Sequence, residues 1–139
     1  MKLKIVLMII ICAALLALLA CGSSSTTPKQ VSVDSSYSGK EVEIAAGGSL
    51  TVTLESNQTT GFQWELTTIS DQAVLEKVDQ KYVAPEATQN GAPVVGAPGE
   101  EVWTFKALQK GKSTISMGYS RPWESVPPAK TFTLTVTVK

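Results

Sequence analysis

Reactive side chains are scarce in this 139-residue chain, which has no histidine and only two cysteines, Cys12 and Cys21. The commonest general base and a frequent metal ligand are therefore missing. Carboxylates, lysines and hydroxyls remain, and no pair of them has a spacing that identifies a reaction, although a Ser-Lys arrangement stays formally open. No cofactor or metal is expected. The residues that do stand out are suited to binding, and they fall in three segments. Asn57-Gln58-Thr59-Thr60-Gly61-Phe62 is a run of turn formers whose tip would expose hydroxyls and backbone N–H groups. Taken alone it is an ordinary turn, and its Asn-Gln-Thr glycosylation triplet reads as accidental. Pro85 to Glu100 is too long for a hairpin turn and carries the apolar pair Val94-Val95. Loops of that length are functional or disordered, and exposed valines favour a binding loop over a spacer. Ser120 to Pro128 is stiffened by prolines and sets Arg121 and Pro122 beside Trp123. Arginine beside tryptophan on a rigid loop is the composition of an interface hot spot. The alternative is that Trp123 folds back as a lid on the end of the core.

The elements that must hold these segments read as strands. Leu50, Val52 and Leu54 alternate with Thr51, Thr53 and Glu55, and Trp64 with Leu66 continues the habit. Trp103, Phe105 and Ala107 follow, then Ile115, Met117 and Tyr119, then Phe132, Leu134, Val136 and Val138 among threonines. Period two with β-branched and aromatic enrichment means half-buried strands. One short helical turn is expected within Asp71 to Val78, from Val74, Leu75 and Val78. Gly47-Gly48 punctuates the chain after a strand near Lys40–Ala46, and Gln109-Lys110-Gly111-Lys112 reads as a hairpin connection. About seven antiparallel strands, each with one apolar face, predict an all-β, immunoglobulin-like sandwich. Trp64 and Trp103 are expected in its core. The three unusual segments would follow strands two, four and six, and loops after alternate strands emerge at one end. One edge would then carry one binding surface.

The remaining segments concern export. Lys2 and Lys4 precede an apolar run from Ile5 to Ala20, shorter than the ~20 residues a transmembrane helix needs. It ends in Leu18-Leu19-Ala20-Cys21, the pattern of an export signal, and this ending resembles the bacterial lipobox. Residues 1–20 are thus expected to be a lipoprotein signal peptide, 21–30 a lipidated Cys21 and flexible Ser/Thr tether, and 31–139 one domain. An uncleaved signal anchor is the alternative. Loss of the signal and lipidation of Cys21 leave no thiol for a disulfide. Without Lys2 and Lys4 the chain keeps ten basic against twelve acidic residues, a balance that does not suggest nucleic acid. The expected location is the bacterial cell envelope, on the periplasmic side of an outer membrane where the cell has one.

Three motifs together carry a resemblance. Asn57-Gln58-Thr59-Thr60-Gly61-Phe62 resembles the Asn-Pro-Thr-Thr-Gly-Phe/Tyr loop of the chagasin family of cysteine peptidase inhibitors. Arg121-Pro122-Trp123 resembles that family's Arg-Pro-Trp/Phe loop, and Gly96-Ala97-Pro98-Gly99 sits where the family has Gly-x-Gly-Gly. The resemblance implies an immunoglobulin-like sandwich that blocks the cleft of papain-like peptidases reversibly and without chemistry of its own; a monomer is the default expectation, since no residue pattern indicates an oligomer. Thr59, Thr60 and Gly61 would form the central wedge and Trp123 would pack on the primed side, with Arg121 making polar contacts. Gly96 and Gly99, next to Val95, would let the second loop lie against the other wall. Gln58 in place of proline and Pro98 in place of glycine imply a weaker or narrower inhibitor. An envelope module binding another protein or a carbohydrate is the alternative, and a purely structural lipoprotein a third.

Overall fold

The computed structural model describes residues 26–86 and 88–139. The expected signal peptide, Cys21 and the first part of the expected tether lie outside the described residues. Ten strands follow in chain order: β1 (Gln30–Val33), β2 (Lys40–Ile44), β3 (Ser49–Ser56), β4 (Gln63–Ile69), β5 (Leu75–Val83), β6 (Thr88–Gln89), β7 (Ala92–Pro93), β8 (Gly99–Ala107), β9 (Gly111–Ser120) and β10 (Lys130–Val138). Eight of them form two four-stranded sheets, ordered β1-β3-β8-β5 and β2-β10-β9-β4. The pair β6–β7 is a separate ribbon inside the second unusual segment.

Alternation produces the core as expected. Leu50, Val52 and Leu54 of β3 share the inner face of the first sheet with Trp103, Phe105 and Ala107 of neighbouring β8, and they form one core with Ile115, Met117, Leu134 and Val136 of the other sheet, all buried. Trp64 and Trp103 are core residues, 5% and 2% exposed. Threonines take the opposite positions of β10 (Thr131, Thr133, Thr135 and Thr137) and the two between the core residues of β3 (Thr51 and Thr53), where β-branched side chains suit a half-exposed pleat.

Three details depart from the sequence reading, and a fourth agrees with it in part. The short strand β1 joins the seven that were expected, placing only Val31 and Val33 toward the core. It pairs with β3 in parallel, and β2 pairs with β10 in parallel, so the sheets are mixed and not purely antiparallel. Residues 109–112 are not a hairpin: β8 and β9 lie in different sheets, and the chain crosses between them. Gly111 makes that crossing at φ +151°, where a Cβ would stand 2.6 Å from Val74 Cγ2. Finally, Asp71 does start one turn, its carbonyl accepting from Val74 and Leu75 N–H at 3.3 and 3.2 Å. Leu75 then opens β5, and Val78 falls at a register shift in that edge strand, 51% exposed. Glu76, Lys77, Asp79 and Lys81 charge this edge, which discourages pairing with another chain.

Candidate functional site: three loops tied at one end

Strand ends decide where the loops emerge. In the first sheet Ser56 registers with Gly99, and Val83 with Glu100. In the second, Gln63 registers with Ser120, and Lys130 with Tyr119. All three unusual segments therefore leave from one end. Loop 1 (57–62) bridges the two sheets, joining β3 to β4. Loop 2 (84–98) returns within the first sheet and loop 3 (121–129) within the second. Loop 1 is central because it alone of the three crosses the sandwich.

Loop 1 is wound as a single 3-10 turn over Gln58–Thr60, closed by Gly61 in the left-handed region at φ +81°. Asn57 organises it. Its N–H donates to the Tyr119 hydroxyl at 2.8 Å, and its carbonyl accepts from Thr60 N–H at 3.1 Å and from the Thr60 hydroxyl at 2.6 Å. Its side-chain oxygen accepts from the Thr59 hydroxyl at 2.6 Å, while its side-chain amide donates across to the Gly96 carbonyl of loop 2 at 3.0 Å. The amide orientation fits both partners, an acceptor facing a hydroxyl and a donor facing a carbonyl.

Loop 3 is tied to loop 1 from the other side. Arg121 Nε donates to the Thr60 carbonyl at 3.0 Å and its Nη1 meets Glu124 Oε1 at 2.9 Å. The guanidinium lies 4.4 Å from the Phe62 ring centroid, and Phe62 in turn stacks on Tyr119 at 5.2 Å. The tip Pro122-Trp123 is held in a turn by Glu124 N–H on the Arg121 carbonyl, with proline at the position that favours it. Trp123 is not a lid on the core. It is 69% exposed and lies against Gly61, where an added Cβ would stand 2.3 Å from the indole Cη2.

Loop 2 ends in a turn from Val94 to Ala97, with Gly96 at φ +82° and the Ala97 N–H on the Val94 carbonyl. This turn holds Val95 out, 96% exposed. Earlier in the loop, Asn90 (φ 56°) and Gly91 (φ 77°) form the two-residue connection of the β6–β7 ribbon. That Asn-Gly pair is the strongest local hairpin signal, and it went unread inside the proline- and glycine-rich segment.

The predicted site residues thus divide into two groups. Thr59, Thr60, Pro122, Trp123 and Val95 are exposed at the rim, with Val126 beside them in loop 3. Asn57, Gly61, Phe62, Gly96 and Arg121 are joined beneath or between the tips. Gly99 is different: it opens β8, is buried, and has no room for a Cβ because the Tyr82 hydroxyl and Val83 carbonyl would each lie 2.4 Å away. It permits close strand packing and is not part of the loop surface. Two residues under the loops were missed. Tyr119 belonged to the core alternation, and nothing in sequence marked its hydroxyl as a partner of Asn57. Glu101 carried a readable signal, since it stands in phase with the apolar Trp103, Phe105 and Ala107 and is 2% exposed.

An immunoglobulin-like sandwich that gathers three cross-linked, partly apolar loops at one end is a loop-presenting binding protein. Comparison with known proteins gives the particular family. Residues 43–137 match the family described as Chagasin family peptidase inhibitor I42, and the chain belongs to that family. It is 29% identical over 99 residues to Amoebiasin-2 of Entamoeba histolytica, covering 70% of this chain and 76% of that protein. Chagasin of Trypanosoma cruzi is also 29% identical, over 94 residues, covering 66% and 81%. In structure the chain resembles a cysteine protease inhibitor from Entamoeba histolytica, with TM-score 0.66, 21% identity, and coverage of 81% of this chain and 99% of that one.

Proposed function

We propose that this protein is a reversible inhibitor of papain-like cysteine peptidases that fills the active-site cleft with loops 1, 2 and 3. Family membership supports the class of target. The observation that carries the mode of action is the cross-linking of the three loops by Asn57 to Gly96 and Arg121 to Thr60. A wedge ordered before contact loses little conformational entropy on binding. Trp123 and Val95 flank the hydroxyl-rich tip, and burial of an exposed tryptophan supplies hot-spot energy of ~2 kcal/mol or more.

The same bonds account for inhibition without turnover. A peptidase attacks a carbonyl presented on an extended segment, but the tip of loop 1 is a tight turn. The Asn57, Gln58 and Thr60 carbonyls already accept from Thr60 N–H, Gly61 N–H and Arg121 Nε. Aligning any of them for attack would require breaking the wedge.

In this reading Cys21 carries the lipid, the tether spaces the domain from the membrane, and the domain acts as a monomer at the bacterial envelope. The sequence ending Leu18-Leu19-Ala20-Cys21 supports the anchor. Titration of the detergent-purified protein against papain, with a fluorogenic peptide as reporter, tests the inhibition. Stoichiometric or nanomolar reversible inhibition is expected. Cleavage of loop 1, or no inhibition of papain and of a cathepsin-like peptidase, would refute it.

A further inference from the structure

Beneath the wedge lies a buried carboxylate with no role in the contacts described so far. Glu101 sits on the inward face of β8, 2% exposed, in a row otherwise made of Trp103, Phe105 and Ala107. A glutamate there costs desolvation unless its oxygens are fully engaged. Oε1 accepts from the Ser56 hydroxyl at 2.7 Å and from the Trp64 backbone N–H at 3.0 Å. Oε2 faces Gln80 Nε2 at 3.4 Å.

The two partners of Oε1 bracket loop 1. Ser56 is the last residue of β3, in the first sheet, and Trp64 follows the first residue of β4, in the second. One oxygen atom therefore holds both stems of the loop that crosses the sandwich. Trp64 adds a second tie between the same stems, its indole N–H donating to the Glu55 carbonyl at 2.9 Å. Packing alone would bury an apolar side chain at this position, and it would leave the Trp64 N–H and the Ser56 hydroxyl without an acceptor.

We infer that Glu101 is a positioning residue for inhibition: it sets the spacing of the loop 1 stems, and through them the projection of Thr59 and Thr60. This rests on the inhibitory reading of the loops. Gln80 orients the carboxylate and is in turn met by Lys77 Nζ at 3.1 Å. The device extends from edge strand β5 through β8 to the central loop.

The test compares four variants of the full chain in detergent, by inhibition of papain and by amide hydrogen exchange. Glu101→Met keeps the length but removes both acceptors. Ser56→Ala removes one donor and spares the fold if Glu101→Met is too damaging. Glu101→Gln retains an oxygen for Ser56 and Trp64. Ser113→Ala is the stability control: Ser113 is also buried and bonds Asp71 N–H and C=O at 3.0 Å, but it lies seven residues down β9 from Ser120, about 23 Å at ~3.3 Å per residue.

Glu101→Met is expected to raise Ki about 10- to 100-fold, and Ser56→Ala a few-fold, with faster exchange confined to residues 57–64. Glu101→Gln should restore most of the affinity, and Ser113→Ala should lower Tm without changing Ki. Unchanged Ki in both Glu101→Met and Ser56→Ala would overturn the inference. So would a rise in Ki that follows Tm across all variants, Ser113→Ala included. If the unaltered chain inhibits no peptidase, the inhibitory reading fails, while the exchange pattern still decides whether Glu101 orders loop 1.

Discussion

Gly61→Ala should weaken inhibition mainly by displacing a tryptophan in a different loop. Two costs are built into the position. At φ +81° an alanine suffers the left-handed penalty of ~1–2 kcal/mol, which lowers stability and shifts Tm down by roughly 4–8 °C. Its Cβ would also lie 2.3 Å from Trp123 Cη2, so the indole must retreat by about 1.5 Å to reach an ordinary contact of ~3.8 Å. Trp123 is 69% exposed in the free protein. Taking ~200 Å² for the side chain, its burial by a partner is worth at most ~3.5 kcal/mol at 25 cal/mol per Å². Losing a third to a half of that fit gives ~1–2 kcal/mol, or about 5- to 30-fold in Ki. Backbone strain is present in free and bound protein alike and largely cancels from Ki. A double-mutant cycle separates the two costs. Trp123→Ala alone should weaken inhibition ~30- to 300-fold, and Gly61→Ala should add almost nothing further in that background, while its effect on Tm persists. Equal Ki penalties for Gly61→Ala with and without Trp123 would refute the coupling.

Other perturbations follow from the same geometry. Arg121→Lys keeps the charge but loses the fork that spans the Thr60 carbonyl and Glu124, so Ki should rise ~3- to 10-fold while Tm moves by less than about 3 °C. Asn57→Ala keeps the N–H bonded to Tyr119 but cuts the side-chain bonds to Gly96 and to Thr59, and should weaken inhibition about tenfold; a change within twofold would show that neither loop 2 nor the tip of loop 1 needs this tie. Away from the site, the Thr137 hydroxyl, then Lys112, hold the Glu41 carboxyl below its ordinary value of 4.5. A depressed carboxylate adds stability above its unfolded pKa and loses it as pH falls through the folded value. Melting curves should therefore show Glu41→Gln flattening the decline below about pH 4.5, with no effect on Ki.

Much of the scaffold was legible because a half-buried strand writes its geometry as alternation. β3, β8, β9 and β10 could be read residue by residue, and both core tryptophans with them. The reading weakened where pairing replaces burial as the determinant. β1 and β5 are edge strands, one with only Val31 and Val33 facing inward and the other interrupted at Val78, so neither leaves a clear period. Parallel pairing of β1 with β3 and of β2 with β10 has no local signature, since which strands become neighbours is settled by the closure of the whole sandwich. In the site, exposure could be read for Trp123 and Val95 from residues that break the pattern of their neighbours. Gly99 marks a limit of reading glycines, because a glycine required for close strand packing and a glycine required by a loop look alike in sequence.

The hub role of Asn57 bears on the departure at Gln58. Proline at that position would stiffen loop 1 by fixing φ, an advantage gained through the unfolded and unbound ensembles. Here the loop is fixed by bonds instead: Asn57 holds Thr59, Thr60 and Gly96, Arg121 holds Thr60, and Glu101 holds the stems. Each of these constraints exists before a peptidase arrives, so the missing proline removes one among several sources of order. Pro98 acts in the opposite sense. It stands directly before Gly99, where its ring fixes φ at the entry to β8 and stiffens the return of loop 2. Rigidity in this wedge is thus shared between covalent geometry in loops 2 and 3 and hydrogen bonding in loop 1. Gln58→Pro should consequently gain little, a Ki lowered by threefold or less, because most of the entropy it would remove is already gone. A tenfold or larger gain would mean that loop 1 is mobile in the free protein and that its hydrogen bonds form only on binding.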